Sequence, residues 1–183
     1  MKSIEAIDIE QQQQVVSQTH KYIERAEKIF DREFELIPVR FDLLGRAAGM
    51  YKVGQDSRII RYNPYIFAKY FEDNLALTIP HEVAHYVTDM EYGYRRNTLF
   101  RSRRLRPHGK EWQNVMSEFG VDAARTCNFN LEGIPQRKHK YFDYACRCSR
   151  HKLGSRRHNK VIKGTAEYCC KRCGDKLNQT ISS

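Results

Sequence analysis

The sequence predicts an α+β chain in two parts. Helices with a small antiparallel sheet fill residues 1–135, and a small basic, cysteine-bearing domain follows over 136–183. Three observations carry this. Apolar residues recur at three-to-four spacing in several stretches, with short alternating runs between them. The chain has 183 residues, 40% hydrophobic and 30% charged, enough for one core plus a small appendage. Beyond about Pro135 the aliphatic residues thin out while cysteines and basic residues gather. This composition excludes a wholly disordered chain. No apolar run approaches the ~20 residues of a membrane span, and Met1 to Glu5 offers no apolar signal segment. The expected location is the cytoplasm, with no membrane partner. In that reducing compartment the six cysteines point to metal or free thiols, not disulfides.

Each element has its own signal. Val15, Thr19, Tyr22, Ile23, Ala26, Phe30 and Phe34 fit a helix over 9–35. After Pro38, Val39 to Leu43 alternates as a half-buried strand does. Met50 to Val53 and Ile59 to Tyr62 flank Gly54-Gln55-Asp56-Ser57, a hairpin pattern. Asn63-Pro64 suits a helix start, cap before proline. A helical stretch from Glu72 to Tyr92 follows, interrupted at Pro80 and ended by Gly93. Residues 93–107 form a basic loop without period. Gly109 to Phe119 fits a further helix, with Trp112, Val115, Met116 and Phe119 on one side.

The net charge of +10 is unevenly spread: residues 1–133 hold 19 basic and 19 acidic side chains, residues 134–183 hold 13 and 3. Within the balanced part, Arg95 to Lys110 carries seven basic residues and no acidic one. Two such stretches in a small protein point to a polyanion, with nucleic acid ahead of a solvated surface. Neither run reads as an amphipathic helix with an apolar face for a membrane. Arg101, Arg103, Arg104 and Arg106, with Arg150, Lys152, Arg156, Arg157 and Lys160, are the candidate phosphate contacts. No base-reading helix is evident, so no sequence specificity is expected; the expected partner is DNA, single-stranded or damaged.

His81-Glu82-Val83-Ala84-His85 sits in the long helical stretch. Histidines at i and i+4 share one helix face, so both imidazoles reach one metal ion. Glu82 beside them is the candidate catalytic residue, a base for a water that zinc acidifies. This is the zincin motif. The alternative is two histidines that pack or face solvent by chance, but a buried His pair beside a buried Glu is costly without a metal. A third ligand is required. Asp89 and Glu91 lie on the same helix and would have to bend back, which leaves His108 and Glu111. Spacing favours His108, with Gly109 allowing close backbone approach.

Cys146-Arg147-Cys148 and Cys170-Lys171-Arg172-Cys173 are separated by 21 residues. Two close cysteine pairs with a hairpin-length insert fit a four-thiolate structural zinc site. Cys169 in place of Cys170, or His151 or His158 in place of a thiolate, stay open. A segment so poor in apolar bulk needs the metal to fold. Gly154 and Gly164, with Tyr141, Phe142, Tyr144 and Tyr168, suit short strands joined by a hairpin.

These residues together resemble the SprT family of zinc metalloproteases, bacterial proteins that have eukaryotic relatives in the Spartan proteases. The resemblance rests on Ile79-Pro80-His81-Glu82-Val83-Ala84-His85 and Pro107-His108-Gly109-Lys110-Glu111-Trp112. It continues through Tyr144-x-Cys146-x-Cys148, Arg157-His158-Asn159 and Tyr168-x-Cys170-x-x-Cys173-Gly174, and runs from about residue 20 to about 177. It implies a minimal zincin-like domain followed by a zinc ribbon. It implies His81, His85 and His108 as ligands of a catalytic zinc, Glu82 as base, and Cys146, Cys148, Cys170 and Cys173 around a structural zinc. It also implies protein substrates, in the eukaryotic branch proteins crosslinked to DNA. Cys169 lies outside that pattern.

Overall fold

The computed structural model describes residues 4–54, 57–93, 106–123, 129–136 and 140–180. The chain divides into two compact units, Met1–Gln136 and Arg137–Ser183.

The first unit opens with helix α1 (Ile9–Phe30). Asp8 and Gln11 exchange side-chain-to-backbone hydrogen bonds across its start, a capping box. The apolar period continues to Phe34, yet the helix ends a turn sooner than the predicted residue 35. Asp31 turns into the left-handed region at φ 46°, and the Phe34 N–H donates to the Glu27 carboxylate at 3.0 Å. Phe34 therefore reaches the core from extended chain.

Strands β1 (Val39–Arg40), β2 (Gly49–Val53) and β3 (Arg58–Tyr62) form a sheet in the order β1-β3-β2. β2 and β3 make the predicted hairpin, with Tyr51 opposite Ile60; Gln55 and Asp56 of its turn lie outside the described residues. β1 pairs with β3 in parallel. The sheet is thus mixed, which corrects the antiparallel sheet predicted from sequence. Alternation tells which face a side chain takes, not which way its neighbour runs. The alternating run 39–43 also yields only two strand residues. Beyond them the Leu43 N–H donates to the Tyr62 C=O at 3.2 Å, and Asp42 takes the Arg61 guanidinium.

Helix α2 (Pro64–Lys69) is capped by Asn63, whose side chain accepts from the Tyr65 and Ile66 N–H groups. A short turn α3 (Phe71–Asp73) leads into a π-helical turn, Asn74–Thr78, and then α4 (Ile79–Tyr92). Pro80 does not interrupt the rod as predicted. It lies in the first turn of α4, where its missing N–H costs little, and the wider π turn precedes it. The buried polar groups of this junction are satisfied: Thr78 Oγ1 donates to Asn74 Oδ1 at 2.7 Å, and the Asn74 amide donates to the Tyr70 C=O at 2.6 Å. Gly93, at φ 71°, ends α4. Helix α5 (Lys110–Glu118) buries Trp112, Val115 and Met116. The core packs α1, α4 and α5 with β3, through Ile23, Ile60, Val83, Val87 and Val115.

The second unit is an antiparallel sheet, β5-β4-β6, of β4 (Tyr141–Ala145), β5 (Arg150–Gly154) and β6 (Asn178–Gln179). Helix α6 (Ser155–Ile162) lies in the insert where short strands alone were predicted. Side-chain stacking holds it: the His158 ring lies 3.5 Å from the Phe142 ring at an interplanar angle of 3°. His158 Nδ1 is also 3.0 Å from the Tyr144 hydroxyl. Among the described residues the buried core here is Tyr144, Leu153, Cys170 and Leu177. Among the described residues no helix is long and apolar enough to cross a membrane.

Tyr62 is buried, with its hydroxyl 3.1 Å from Thr19 Oγ1, which itself donates to the Val15 C=O at 2.8 Å. Tyr62→Phe is expected to lower unfolding free energy by about 1 kcal/mol, read in urea at unchanged m-value.

Candidate metal centre

The helical period brings His81 and His85 to the same face of α4, one turn apart. His108 arrives from the turn before α5. Its backbone is left-handed at φ 59°, a conformation histidine adopts more readily than most side chains. Gly109 makes that turn possible: its N–H donates to the Arg106 C=O at 2.9 Å, and a Cβ there would stand 2.9 Å from the same oxygen. The three Nε2 atoms end 3.3 Å (His81–His85), 3.1 Å (His85–His108) and 3.0 Å (His81–His108) apart.

Hydrogen bonding alone does not account for that triangle. A ring N–H points at one acceptor, so three mutually close nitrogens cannot satisfy one another. Four-coordinate bonds of about 2.0 Å imply ligand nitrogens about 3.3 Å apart, close to what is observed. Burial, and then the neighbouring His108, push His81 down to about 4; burial, His81 and His108 push His85 down to about 3. Both are thus neutral near pH 7, the form that ligates. Trp112 floors the cluster, its ring centroid 4.8, 5.6 and 4.7 Å from those of His81, His85 and His108. Its Nε1–H donates to the His81 C=O at 3.3 Å.

Of the rival ligands, Asp89 accepts from the Tyr51 hydroxyl and Arg58, and Glu91 pairs with Arg32. Glu111 is not in the converging set, which is His81, His85 and His108. Glu82 is buried beside them at 6% exposure. Burial raises its carboxyl to about 7, against the opposing pull of the Tyr51 main-chain N–H, which donates to Oε2 at 2.6 Å.

A second cluster lies in the other unit. Neighbouring Sγ atoms are 3.5 Å (Cys146–Cys148), 3.7 Å (Cys148–Cys170) and 3.6 Å (Cys146–Cys173) apart. These are far beyond a disulfide and near the ~3.8 Å edge of a tetrahedron with bonds of about 2.3 Å. The main-chain N–H groups of Cys173 and Arg172 lower the Cys170 thiol to about 7. Of the alternatives, Cys169 is exposed and its backbone bridges to Lys176, His158 is engaged by Phe142 and Tyr144, and His151 stands beside the four with Nε2 3.3 Å from Cys146 Sγ.

Residues 19–133 match the SprT-like family. The chain is 39% identical over 159 residues to "Protein SprT" of Vibrio parahaemolyticus, covering 86% of this chain and 87% of the relative. It is 34% identical over 163 residues to "Protein SprT" of Shewanella oneidensis (88% and 95%) and 34% identical over 172 residues to that of Klebsiella pneumoniae (93% and 95%). The chain belongs to the SprT-like family. No solved structure matches the chain.

The family match spans the histidine cluster and ends before the four clustered cysteines of the second unit. Of the predicted phosphate contacts, Arg101, Arg103 and Arg104 lie outside the described residues. Arg106 is exposed in the first unit. In the second unit Arg150, Lys152, Arg156, Arg157 and Lys160 are all exposed, Arg150 and Lys152 on one face of β5 and Arg156 and Lys160 one turn apart on α6. Arg157 lies over the Tyr168 ring at 5.8 Å, and Lys140, missed in the sequence, over Phe142 at 5.2 Å. The other missed residues are Tyr51 and Gly49, which meet Glu82. Glycine in a strand, a mark of close backbone approach, was the available signal.

Trp112 is the chain's only tryptophan. Adding zinc to chelator-stripped protein is expected to change its emission. His108→Ala should weaken that response by more than about 100-fold, since even outer-shell changes cost 10–100-fold. Cys146→Ser with Cys148→Ser is expected to unfold 140–180 and leave the first unit intact, seen by hydrogen exchange.

Proposed function

We propose that the chain is a zinc-dependent endopeptidase acting in the cytoplasm on proteins bound or crosslinked to DNA. The observation that carries this is the convergence of His81, His85 and His108 beside the buried carboxylate of Glu82. Three imidazoles and an open fourth position suit a catalytic zinc, and four thiolates a structural one. When bound at the histidines, zinc supplies Lewis acidity, lowering the pKa of water and polarising a carbonyl.

The chain's own residues supply the rest. Glu82 takes the proton of the attacking water and passes it to the leaving amine nitrogen. Burial raises its affinity for that proton. Among the described residues β1 and β2 are the two edges of the first unit's sheet; Glu82 takes the Tyr51 N–H of β2, so an extended peptide would pair with the remaining outward groups of an edge. The exposed cations of the second unit support DNA binding through phosphate contacts, with aromatic side chains beside them. Tethering to DNA would raise the local concentration of proteins bound there.

The test incubates zinc-loaded protein with a basic DNA-binding protein, with and without single-stranded DNA. Cleavage is expected only with DNA. Glu82→Gln should lower it by at least about 100-fold with zinc content and DNA affinity retained. Charge reversal at Arg156, Arg157 and Lys160 should weaken DNA binding and flatten its salt dependence. Glu82-independent cleavage would refute the base assignment. Tight DNA binding with no cleavage would favour a nucleic-acid-binding zinc protein.

A further inference from the structure

Glu82 is held from outside its own helix. Its Oε2 accepts the Tyr51 main-chain N–H at 2.6 Å. In the β2–β3 hairpin the bonds between the strands fall at every second position, as the Asn63 N–H to the Ala48 C=O and the Gly54 N–H to the Ser57 C=O mark. Ladder bonds in an antiparallel pair skip every second residue. Tyr51, opposite Ile60, thus occupies a pair without them, and its N–H points away from β3 towards the sheet edge. An outward N–H on an edge strand would ordinarily be left to water. Here a buried carboxylate takes it.

Two more contacts prepare this one. Gly49 lies two residues earlier on β2. A Cβ there would stand 2.6 Å from Glu82 Cγ, 2.8 Å from Glu82 Oε1 and 2.9 Å from Thr78 Cγ2. No side chain fits without displacing the glutamate. The Tyr51 side chain reaches further along α4: its hydroxyl donates to Asp89 Oδ2 at 2.8 Å, which Arg58 Nε also meets at 2.9 Å. Asp89 is seven residues after Glu82, two turns on along the same face. One tyrosine therefore spans two carboxylates of α4, one with its backbone and one with its phenol.

We infer that Tyr51 is the positioning residue for Glu82: its N–H fixes the carboxylate at the β2 edge, Asp89 fixes Tyr51, and Gly49 keeps the approach open. A glutamate has three rotatable side-chain bonds, and an untethered one spends much of its time away from the reacting proton. Tying Oε2 to the strand leaves Oε1 for proton transfer. The consequence for turnover rests on the base role proposed for Glu82; the tether does not.

The experiment therefore has an arm that needs no activity. Amide hydrogen exchange is followed by NMR on the full-length, zinc-loaded protein. The Tyr51 amide is expected to be protected despite its edge position, and Glu82→Ala should speed its exchange at least tenfold. The Ile60 amide, which donates to the Pro38 C=O, is the internal control and should not change. Equal Tyr51 exchange in wild type and Glu82→Ala overturns the inference, whatever the peptidase assay gives.

The second arm uses cleavage of the basic protein on single-stranded DNA. Tyr51→Phe keeps the N–H and loses the Asp89 anchor. It should lower kcat several-fold with KM and zinc affinity unchanged, and Gly49→Ala should lower kcat more. A merely structural staple would instead shift KM, zinc affinity and thermal midpoint together, and that pattern overturns the inference. If Gly49→Ala does not fold, Tyr51→Phe decides this arm. If wild type cleaves nothing, the loss falls on the proposed function, and the exchange arm alone decides the tether.

Discussion

Helix α4 carries two demands on one cylinder, and the first unit is arranged to meet both. One face presents His81, His85 and Glu82; the rest buries Ile79, Val83, Ala84, Tyr86 and Val87. Imidazoles and a carboxylate lose hydration when buried, a cost that needs a compensating partner. The partners come from distant chain: His108 from the turn before α5, Trp112 from α5 itself, and the Tyr51 N–H from the sheet. Three ring nitrogens held 3.0–3.3 Å apart match the edges of a tetrahedral metal site, and a cation suits them.

The two units rely on different sources of stability. The first has a core of interlocking aliphatic and aromatic side chains drawn from α1, α2, α4, α5 and a sheet. Each fully buried Ile or Val there contributes about 1.5–3 kcal/mol relative to exposure. Among the described residues the second has a buried core of four, one of them Cys170 of the cysteine cluster. So small a core cannot offset the ordering of more than forty residues, so metal–thiolate bonds would have to supply much of the difference. Losing metal should therefore perturb one unit locally and leave the other's packing in place.

Local signals were the legible ones. Asn63-Pro64 marked a helix start, Gly93 a helix end, and the apolar face of 109–119 a helix, because capping and period act within a few residues. Where an element depends on remote chain, the sequence misled. Phe34 continues the period of α1 but reaches the core after the helix has ended. The run 39–43 alternates, yet its partner lies parallel and on the far side of β3 from β2. Pro80 looked like an interruption because the π turn before it has no sequence signature of its own. α6 was missed because His158, stacked on Phe142 and 3.0 Å from the Tyr144 hydroxyl, anchors it in place of a broad apolar stripe.

The sequence by itself determined the chemistry on offer. Residues at i and i+4 on a helix share a face whatever surrounds them, so His81 and His85 were a pair before any fold was known. Cysteines one or two residues apart likewise share a ligand site by proximity alone. Tertiary structure decided what spacing could not. It brought His108 and not Glu111, and Cys170 and not Cys169, into the two converging sets, by where each chain reversal delivers the side chain. It also set Glu82 against the Tyr51 N–H across thirty-one positions of chain. Such contacts follow from how a sheet edge packs on a helix, and no local pattern encodes that.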